Sequence, residues 1–469
     1  RSTIAWSLWL FAIFYYYFLI TNGSFDPFGV EALGRLYNDM ALRLLRGDFT
    51  IDPSIAEGEA WVRDGKTYVY YGIGPALLRM PLALVIPLQT VSLARISCWT
   101  ALAIASWAEV SVMLRAARSV PATGWHLAMF ITVMVAMLFT GPQLAATFAA
   151  WVFNEPIYWS EAFVALFLRL AFIRLLDRRR VSAGDWAWLG LLTGMTICTR
   201  PPEGLALVAG ACALGLADAW RMRHAGEHLI PALLRRLVES SWAYVLCALP
   251  FLALAGYVNE QRWGNPLTFA DGRYYVHAMD SPDIYRIYTS EPMFSVMRIP
   301  YAVAYYLFGF MGNDAIHAYL VQYFGAPGGG WPRSVLLATA TCLGALALFG
   351  IGATLRDSSE RRLSIALVAP AVLVLLMLMV PFLNFRYRYE FVPLLALGAA
   401  LAVRRIGNWN IATVRKAAMA AMLLTLVNVA TSHLDLLQAK LASFAYSDDE
   451  RRSIIEHTAP FSELFAPRQ

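Results

Sequence analysis

The chain alternates between long apolar runs and shorter polar segments, the pattern of helices that cross a membrane repeatedly. A helix needs about 20 mostly apolar residues to span the hydrocarbon core. Roughly eleven such runs occur, at residues 4–21, 94–114, 125–141, 157–176, 185–199, 202–219, 241–257, 334–355, 363–383, 391–403 and 417–432. The pattern therefore predicts an all-α polytopic membrane protein with one transmembrane domain over 1–432.

Lysine and arginine accumulate in every second loop, and this sets the predicted orientation. Short cytoplasmic loops are enriched in these two residues. If the first helix runs outward, all the basic loops lie in the cytoplasm. The acidic and aromatic segments then face outward, at 22–93, 142–156, 258–333 and 384–390. We expect an inner (plasma) membrane protein whose active surface faces the outer or periplasmic side.

Composition agrees with a membrane protein. Of 469 residues, 59% are hydrophobic and 15% charged, against about 25% charged in soluble domains. Topology accounts for the net charge of +6, so no nucleic-acid partner is predicted. The five cysteines lie in apolar runs and imply no disulfide framework. Residues 433–469 are amphipathic and predict a short helical tail on the outer side.

The polar stretch Asn22–Pro81 is the least membrane-like part of the chain. Within it, the apolar period predicts an amphipathic helix over Gly29–Arg46, closed by Gly47 as a C-cap. Glu31, Arg35 and Asp39 are four residues apart and would share one face. That face either carries solvated ion pairs, each worth about 0.3–0.5 kcal/mol, or offers a carboxylate as a general base.

The second half of this stretch combines a turn, a lysine and tyrosines before an apolar segment. Its polar side chains include Lys66, Tyr68 and Tyr70. Gly72 and Gly74 suit close backbone approach, and Pro75 suits the first position of a helix. Ala76–Leu88 is too short to span and predicts a helix along the interface. An ordinary turn before a helix is the simpler alternative.

Further charged residues are predicted on the same outer side. The basic ones are Lys66, Arg200, Arg262, Arg386 and Arg388, followed by Arg273 and His277; the acidic ones are Glu155 and Glu161. Each arginine could simply extend to the interface. Together they oppose the positive-inside rule, and arginine binds phosphate with parallel donors. A lipid-borne phosphate would explain the set. Glu161 is either a functional acid at membrane depth or an ion-pair partner.

Several short motifs occur in a characteristic order. They are L-L-x-G-D at 44–48, D-G-K-x-Y at 64–68, G-x-G-P-A-L-L-x-x-P at 72–81, G-L-L-x-G-M-x-x-x-x-R-P at 190–201, Y-x-N-x-x-x-x-G-N-P-L-x-F at 257–269, and R-Y pairs ahead of Pro393. The chain thereby resembles the GT-C superfamily of membrane glycosyltransferases, in the bacterial branch of protein O-mannosyltransferases and aminoarabinose transferases. The resemblance runs from Asn22 to about Pro393.

This resemblance implies an enzyme that transfers a sugar, with inversion, from a polyprenyl-phosphate donor to a glycolipid or glycan acceptor at the outer face. It also implies a catalytic Asp or Glu early in the first outer loop. Relatives carry adjacent acids there, whereas this chain has Glu31 alone, with Asp39 and Asp26 as alternatives. The residues that would bind the donor phosphate are Lys66, Arg200, Arg262, Arg386 and Arg388. Tyr68, Tyr70, Glu155, Arg273 and His277 would contact substrate.

Some relatives use a divalent metal, but this loop has no D-x-D cluster, and hard cations need several oxygen ligands. We therefore predict no required cofactor and at most a weak divalent-metal dependence. Two other functions fit the arginines: a lipid or polysaccharide flippase, and a non-catalytic GT-C-like protein. A transporter would be expected to show internal repeats and broken helices, which the sequence does not indicate.

Overall fold

The computed structural model describes most of the chain. The described residues are 1–122, 124–222, 228–279, 285–286, 289–290, 292–308, 336–381 and 383–441. The helices are α1 (Ser2–Ile20), α2 (Leu36–Leu44), α3 (Pro53–Ala56), α4 (Gly74–Arg79), α5 (Ala94–Ala116), α6 (Gly124–Phe139), α7 (Gly141–Ala145), α8 (Glu155–Leu176), α9 (Ala183–Thr199), α10 (Pro201–Met222), α11 (Leu229–Arg236), α12 (Trp242–Trp263), α13 (Val276–Met279), α14 (Ile299–Phe308), α15 (Leu336–Thr339), α16 (Thr341–Arg356), α17 (Val368–Met379), α18 (Val392–Ile406) and α19 (Ile411–Leu441).

Short 3₁₀ turns link several of these helices. They comprise Glu57–Glu59, Met80–Leu84, Ala117–Ser119, Gly272–Tyr274, Val296–Arg298, Arg361–Leu367 and Phe385–Phe391. The strands β1 (Trp61–Arg63) and β2 (Lys66–Tyr68) pair antiparallel in the first loop. Their turn has Asp64 and Gly65 at φ of +52° and +71°, the left-handed geometry of a tight hairpin.

The membrane domain is built as the hydropathy pattern predicts. In the described part of the chain, seven helical segments are long and apolar enough to cross a membrane, so this is a multi-pass membrane protein. Each of the eleven predicted spans coincides with a helix, although the start of 334–355 lies outside the described residues. The number of eleven crossings stays a prediction.

The long helices share one apolar core. It draws residues from α1, α5, α6, α8, α9, α10 and α16 to α19. Small residues permit the closest contacts, as expected where lipid supplies no hydrophobic drive between helices. A Cβ at Gly350 of α16 would collide with the Gly398 carbonyl of α18. These helices therefore pack backbone to backbone.

The predicted helix over Gly29–Arg46 is wrong in its first half, because α2 begins only at Leu36. Leu33 takes a positive φ of +56°, and the Gly34 N–H bonds to the Glu31 carbonyl in a turn. Glu31 therefore shares no helical face with Asp39. The predicted cap holds at the other end, where Gly47 has a φ of +72°.

The predicted interfacial helix over Ala76–Leu88 is shorter and starts earlier. It comprises α4 and the 3₁₀ turn that ends at Leu84. Pro75 lies in the first turn of α4, as predicted. Gly72 and Gly74 lie against the end of α9, where a Cβ on either would collide with Thr199. The predicted close approach is confirmed.

The predicted start of the tail at residue 433 falls inside α19, which continues to Leu441. Near its end, the Lys440 ammonium donates to the Leu19 carbonyl and to Asn22 Oδ1, both at 2.7 Å. The last turns of α19 thus pack on the end of α1. Residues 442–469, and much of the predicted second outer loop beyond 308, lie outside the described residues.

Candidate functional site

The candidate site is centred on Glu59, a half-buried carboxylate of the first loop. The Tyr71 hydroxyl donates to its Oε2 at 3.0 Å, and the Tyr275 hydroxyl donates to its Oε1 at 3.2 Å. Burial raises the pKa of Glu59, against the opposing effect of these two donors and of the nearby Arg386 and His277. A carboxyl with a raised pKa and hydrogen-bonded orientation is suited to proton transfer.

Aromatic packing between two distant loops positions Glu59. The Trp61 ring, two residues beyond Glu59, stacks on Tyr275 with centroids 4.9 Å apart. The Val276 N–H donates to the Ala60 carbonyl at 3.1 Å. Trp263, at the end of α12, packs against the other edge of Trp61 at 5.4 Å. Rigid aromatic contacts on both sides therefore fix the turn that carries Glu59.

Backbone contacts at Tyr71 and Gly72 hold the loop on the membrane domain. Arg262, at the end of α12, is buried and donates from Nη1 to the Tyr71 carbonyl at 2.9 Å. At Gly72, a Cβ would collide with the backbone carbonyls of Cys198 and Thr199. Only glycine permits this approach. Arg262 thus supports Tyr71, which in turn orients Glu59.

Arg386 is a cation that acts electrostatically on Glu59. Its guanidinium lies over the Phe153 ring at 4.7 Å, and Phe153 contacts Tyr71 at 5.9 Å. Its Nε donates to Asn384 Oδ1 at 3.1 Å. Among the described residues, its Nη1 is buried without a hydrogen-bond partner. A buried, unfilled donor of an arginine is suited to an anionic ligand.

Arg200 lies between α9 and α10 and is a second, partly buried arginine near this site. Its guanidinium is 5.2 Å from the Tyr387 ring centroid. It forms ion pairs with Glu203 and, at 2.8 Å, with Glu390. Both it and Arg386 act electrostatically on Tyr70, whose ring contacts Tyr71 at 4.4 Å. Arg386 therefore acts on Glu59 directly, whereas Arg200 is connected to the site through Tyr70.

Of the sequence candidates, Arg386 and His277 act electrostatically on Glu59. Arg262 and Tyr70 contact Tyr71, which donates to Glu59, and Arg200 acts on Tyr70. His277 is exposed, and its ring lies 6.0 Å from that of Tyr275. Sequence reasoning missed Glu59 itself, as well as Tyr275, Phe153 and Tyr387. The segment Glu57-Gly-Glu59 has no periodicity or spacing that distinguishes one acid from the other.

Among the described residues, the groups that act most strongly on Glu59 include none of the three acids that the sequence proposed as the base. Glu31 is buried and pairs with Arg95 of α5 at 2.7 Å. Asp39 accepts from Arg43 Nε and from the Asp52 N–H, both at 2.9 Å. Asp26 is exposed and accepts from the Phe28 N–H at 2.9 Å. Each makes local contacts that order the loop.

Two of the remaining candidates are exposed. Lys66 is on the hairpin surface, and Arg273 pairs with Asp271 at 2.6 Å. The other three candidates, Tyr68, Glu155 and Arg388, are buried. Tyr68 belongs to the aromatic cluster around Trp61.

Glu155 and Arg388 each have charged neighbours of their own. Glu155 accepts from Arg79 at 2.6 and 2.7 Å and from Ser97 at 2.6 Å. Arg388 lies 3.8 Å from Asp435 of α19.

Among the described residues, no three His, Cys, Asp or Glu side chains are grouped so as to hold a metal ion. Two of the buried acids, Glu203 and Glu390, both pair with Arg200.

No family model matches the sequence, and no curated protein matches it significantly. Solved structures do match. An oligosaccharyltransferase from Archaeoglobus fulgidus, in complex with Zn and sulfate, is 13% identical with a TM-score of 0.53, covering 98% of this chain and 55% of its own. The same enzyme, AglB, with an inhibitory peptide and a dolichol-phosphate, is 15% identical with a TM-score of 0.50, covering 99% and 58%.

ArnT from Cupriavidus metallidurans, bound to undecaprenyl phosphate, matches with a TM-score of 0.46 and 12% identity, over 98% of this chain and 79% of its own. The archaeal matches show the fold: this chain folds like the oligosaccharyltransferase, in agreement with the GT-C fold that the sequence predicts. It spans little more than half the length of the oligosaccharyltransferase.

Proposed function

We propose that this protein transfers a sugar from a polyprenyl-phosphate donor to a hydroxyl of an envelope glycolipid or glycan at the outer face of the membrane. The observation that carries this proposal is Glu59, a half-buried carboxylate held by two tyrosine hydroxyls beside Arg386. One base next to cations is what transfer from a sugar phosphate requires.

Glu59 is the proposed general base. It accepts the proton of the acceptor hydroxyl while that oxygen attacks the anomeric carbon. The new C–O bond forms as the bond from the anomeric carbon to the phosphate oxygen breaks, and polyprenyl phosphate leaves with that electron pair. Attack opposite the leaving group inverts the anomeric centre. The raised pKa of Glu59 brings the base closer to the ambient pH, where proton transfer is most effective.

Arg386 and Arg200 are the proposed phosphate-binding residues. The buried Nη1 of Arg386 is available to a ligand among the described contacts. Stacking on Phe153 fixes the plane of its guanidinium. Negative charge grows on the leaving phosphate during transfer, so prepositioned cations stabilise the transition state more than the substrate. We expect the reaction to persist in a chelator, with any divalent-metal effect small.

An apolar groove of about 390 Å³ is the proposed site of the polyprenyl tail. It lies between α14, α16, α17 and α18, with Tyr306, Gly344, Leu348, Leu378 and Phe391 among its lining residues. The Tyr306 hydroxyl donates to the Asn384 carbonyl at 3.4 Å. Asn384 begins the turn that carries Arg386. The groove thus adjoins the proposed phosphate site, so that the tail and the phosphate of one lipid molecule could bind together.

A transfer assay with purified protein in proteoliposomes tests the proposal. Synthetic undecaprenyl-phosphate sugars would be offered with lipid or glycan acceptors, and products would be followed by mass spectrometry. Transfer with inverted configuration would support the proposal. If the labelled donor crosses the bilayer without any sugar transfer, the protein is a flippase and the proposal fails.

A further inference from the structure

Three buried glutamates interact with Arg200, two by ion pairs and one electrostatically. Glu161 comes from α8, Glu203 from the first turn of α10, and Glu390 from the 3₁₀ turn before α18. Each is at most 2% exposed. Arg200 forms ion pairs with Glu203 and Glu390, and Ser160 donates to Glu203 at 3.4 Å. Three acids therefore face a single guanidinium.

Glu161 has no hydrogen-bond partner for either carboxyl oxygen among the described residues. The groups that act on it electrostatically are Glu390, Glu203 and Glu109, all acids, and Arg200. Tyr389 is also close enough for Glu161 and Glu109 to act on it. An unpaired carboxylate in a low-dielectric interior costs several kcal/mol, so the protonated form of Glu161 is expected. Arg200 can balance one further carboxylate, and by the same charge balance the other of Glu203 and Glu390 would hold a second proton.

Arg200 also has an opposite side that faces the proposed reaction centre. Its guanidinium is 5.2 Å from the Tyr387 ring, and Tyr387 and Tyr70 are the phenols that act on it electrostatically. Its side chain is 17% exposed, whereas those of Glu203 and Glu390 are fully buried. The exposed part of Arg200 is therefore accessible to an anion, whereas its two acid partners are closed to solvent.

We propose that Glu161, Glu203 and Glu390 form a proton-holding centre that takes up a proton when a phosphate anion binds to the exposed side of Arg200. The identity of the anion rests on the proposed function; the three acids and their charge balance do not. The proton comes from solvent and is added to the carboxylate still ionised beside Arg200. No bond other than that O–H bond changes.

Charge balance gives the physical reason. Without the anion, Arg200 neutralises one carboxylate. When phosphate also approaches Arg200, its negative charge raises the energy of that ionised carboxylate in a medium with little screening. Protonation of the carboxylate removes this repulsion, so phosphate binding and proton uptake are linked. Phosphate binding should weaken as pH rises, by up to about tenfold per pH unit for one linked proton.

Two measurements on the full chain test this proposal. Infrared spectra in H₂O and D₂O would detect protonated buried carboxyls in the unliganded protein, and Glu161→Gln should remove one of these bands. Calorimetry with undecaprenyl phosphate, in buffers of different ionisation enthalpy, would give the number of protons taken up per lipid bound. Asp357→Asn is the control, because Asp357 pairs with Arg405 outside this cluster.

The wild type should show protonated carboxyls and take up a proton on binding, and Glu390→Gln or Glu203→Gln should reduce that uptake while Asp357→Asn leaves it unchanged. Binding without proton uptake, or uptake that survives both glutamine variants, would overturn the proposal while leaving the transferase function intact. Absence of any protonated carboxyl band in the wild type would also overturn it. If undecaprenyl phosphate does not bind at all, the coupling and the proposed donor class both fail, even where the infrared bands are present.

Discussion

The Tyr71 hydroxyl donates a 3.0 Å hydrogen bond to Oε2 of Glu59, joining a tyrosine just beyond the hairpin to the carboxylate before it. Burial has the largest effect on the pKa of Glu59 and raises it. The hydrogen bond from Tyr71 has the next largest effect and lowers that pKa. The contact therefore tunes the proposed base as well as holding it.

Replacing Tyr71 with phenylalanine should shift the pH dependence of transfer. The base acts when ionised, so kcat/KM falls as pH drops through the pKa of Glu59. Loss of the hydroxyl removes a donor to the ionised form and raises that pKa further. The acid limb of the kcat/KM profile should move to higher pH. Tyr257→Phe, at an exposed residue of α12, is the control, and an identical shift there would contradict the assignment.

Arg386→Ala should weaken use of the donor. A hydrogen bond to a charged group contributes about 1.5–3 kcal/mol, so kcat/KM for the lipid donor should fall roughly ten- to hundred-fold. The matched control is Arg273→Ala, whose guanidinium is exposed and paired with Asp271. Steady-state kinetics with varied donor would check this. Equal losses in the two variants would mean that general surface charge, and not the position of Arg386, attracts the donor.

A tryptophan at Gly344 should block the apolar groove. The space beside Gly344 is open, and the residue lines the groove. KM for an undecaprenyl donor should rise about tenfold, equivalent to about 1.4 kcal/mol, while a donor with a short isoprenoid tail should be unaffected. Gly352→Trp is the control on the same helix, since its side is also open but it does not line the groove. If both donors are affected equally, the tail lies elsewhere.

Glu31→Gln should lower the stability of the protein without changing its rate of sugar transfer. It leaves the buried Arg95 guanidinium with a neutral partner, and breaking a buried ion pair costs about 3–5 kcal/mol. The unfolding temperature should drop, while transfer per folded molecule is retained. Asp26→Asn, at an exposed position, should change neither quantity. A Glu31→Gln protein that is as stable as wild type but inactive would make Glu31 the base.

The features that the sequence predicts depend on neighbouring residues, whereas those that it does not predict depend on residues far apart in the chain. Each predicted span coincides with a helix because hydropathy is a local property of about 20 residues. Gly72 was likewise predictable as a close-approach position, since glycine alone lacks a Cβ. The predicted helix over Gly29–Arg46 is interrupted at Leu33, which has a positive φ. That conformation is unusual for a leucine, and the hydrophobic periodicity does not indicate it.

The centre of the site depends on contacts that no local pattern describes. Glu59 and Tyr275 are 216 residues apart, and Glu57, exposed on the same turn, is the same residue type. In the turn Phe385–Phe391, Arg386 stacks on Phe153 while Arg388 lies by Asp435. Both arginines fit the same motif, and only the backbone path separates their roles.

The central claim is that Glu59 is the catalytic base, and Glu59→Gln tests it most directly. Burial raises the pKa of Glu59 in the folded state, so ionisation opposes folding above the unfolded pKa, and the amide relieves that penalty at neutral pH. The variant should therefore unfold at a temperature no lower than wild type. Glu57→Gln, on the exposed side of the same turn, is the matched control.

The decisive measurement is the single-turnover rate of sugar transfer from a synthetic polyprenyl-phosphate sugar by the two glutamine variants in proteoliposomes. Loss of a general base costs about 10²- to 10⁴-fold, so we predict a loss of that size in Glu59→Gln and a wild-type rate in Glu57→Gln. A folded Glu59→Gln protein that transfers sugar at the wild-type rate would contradict the account.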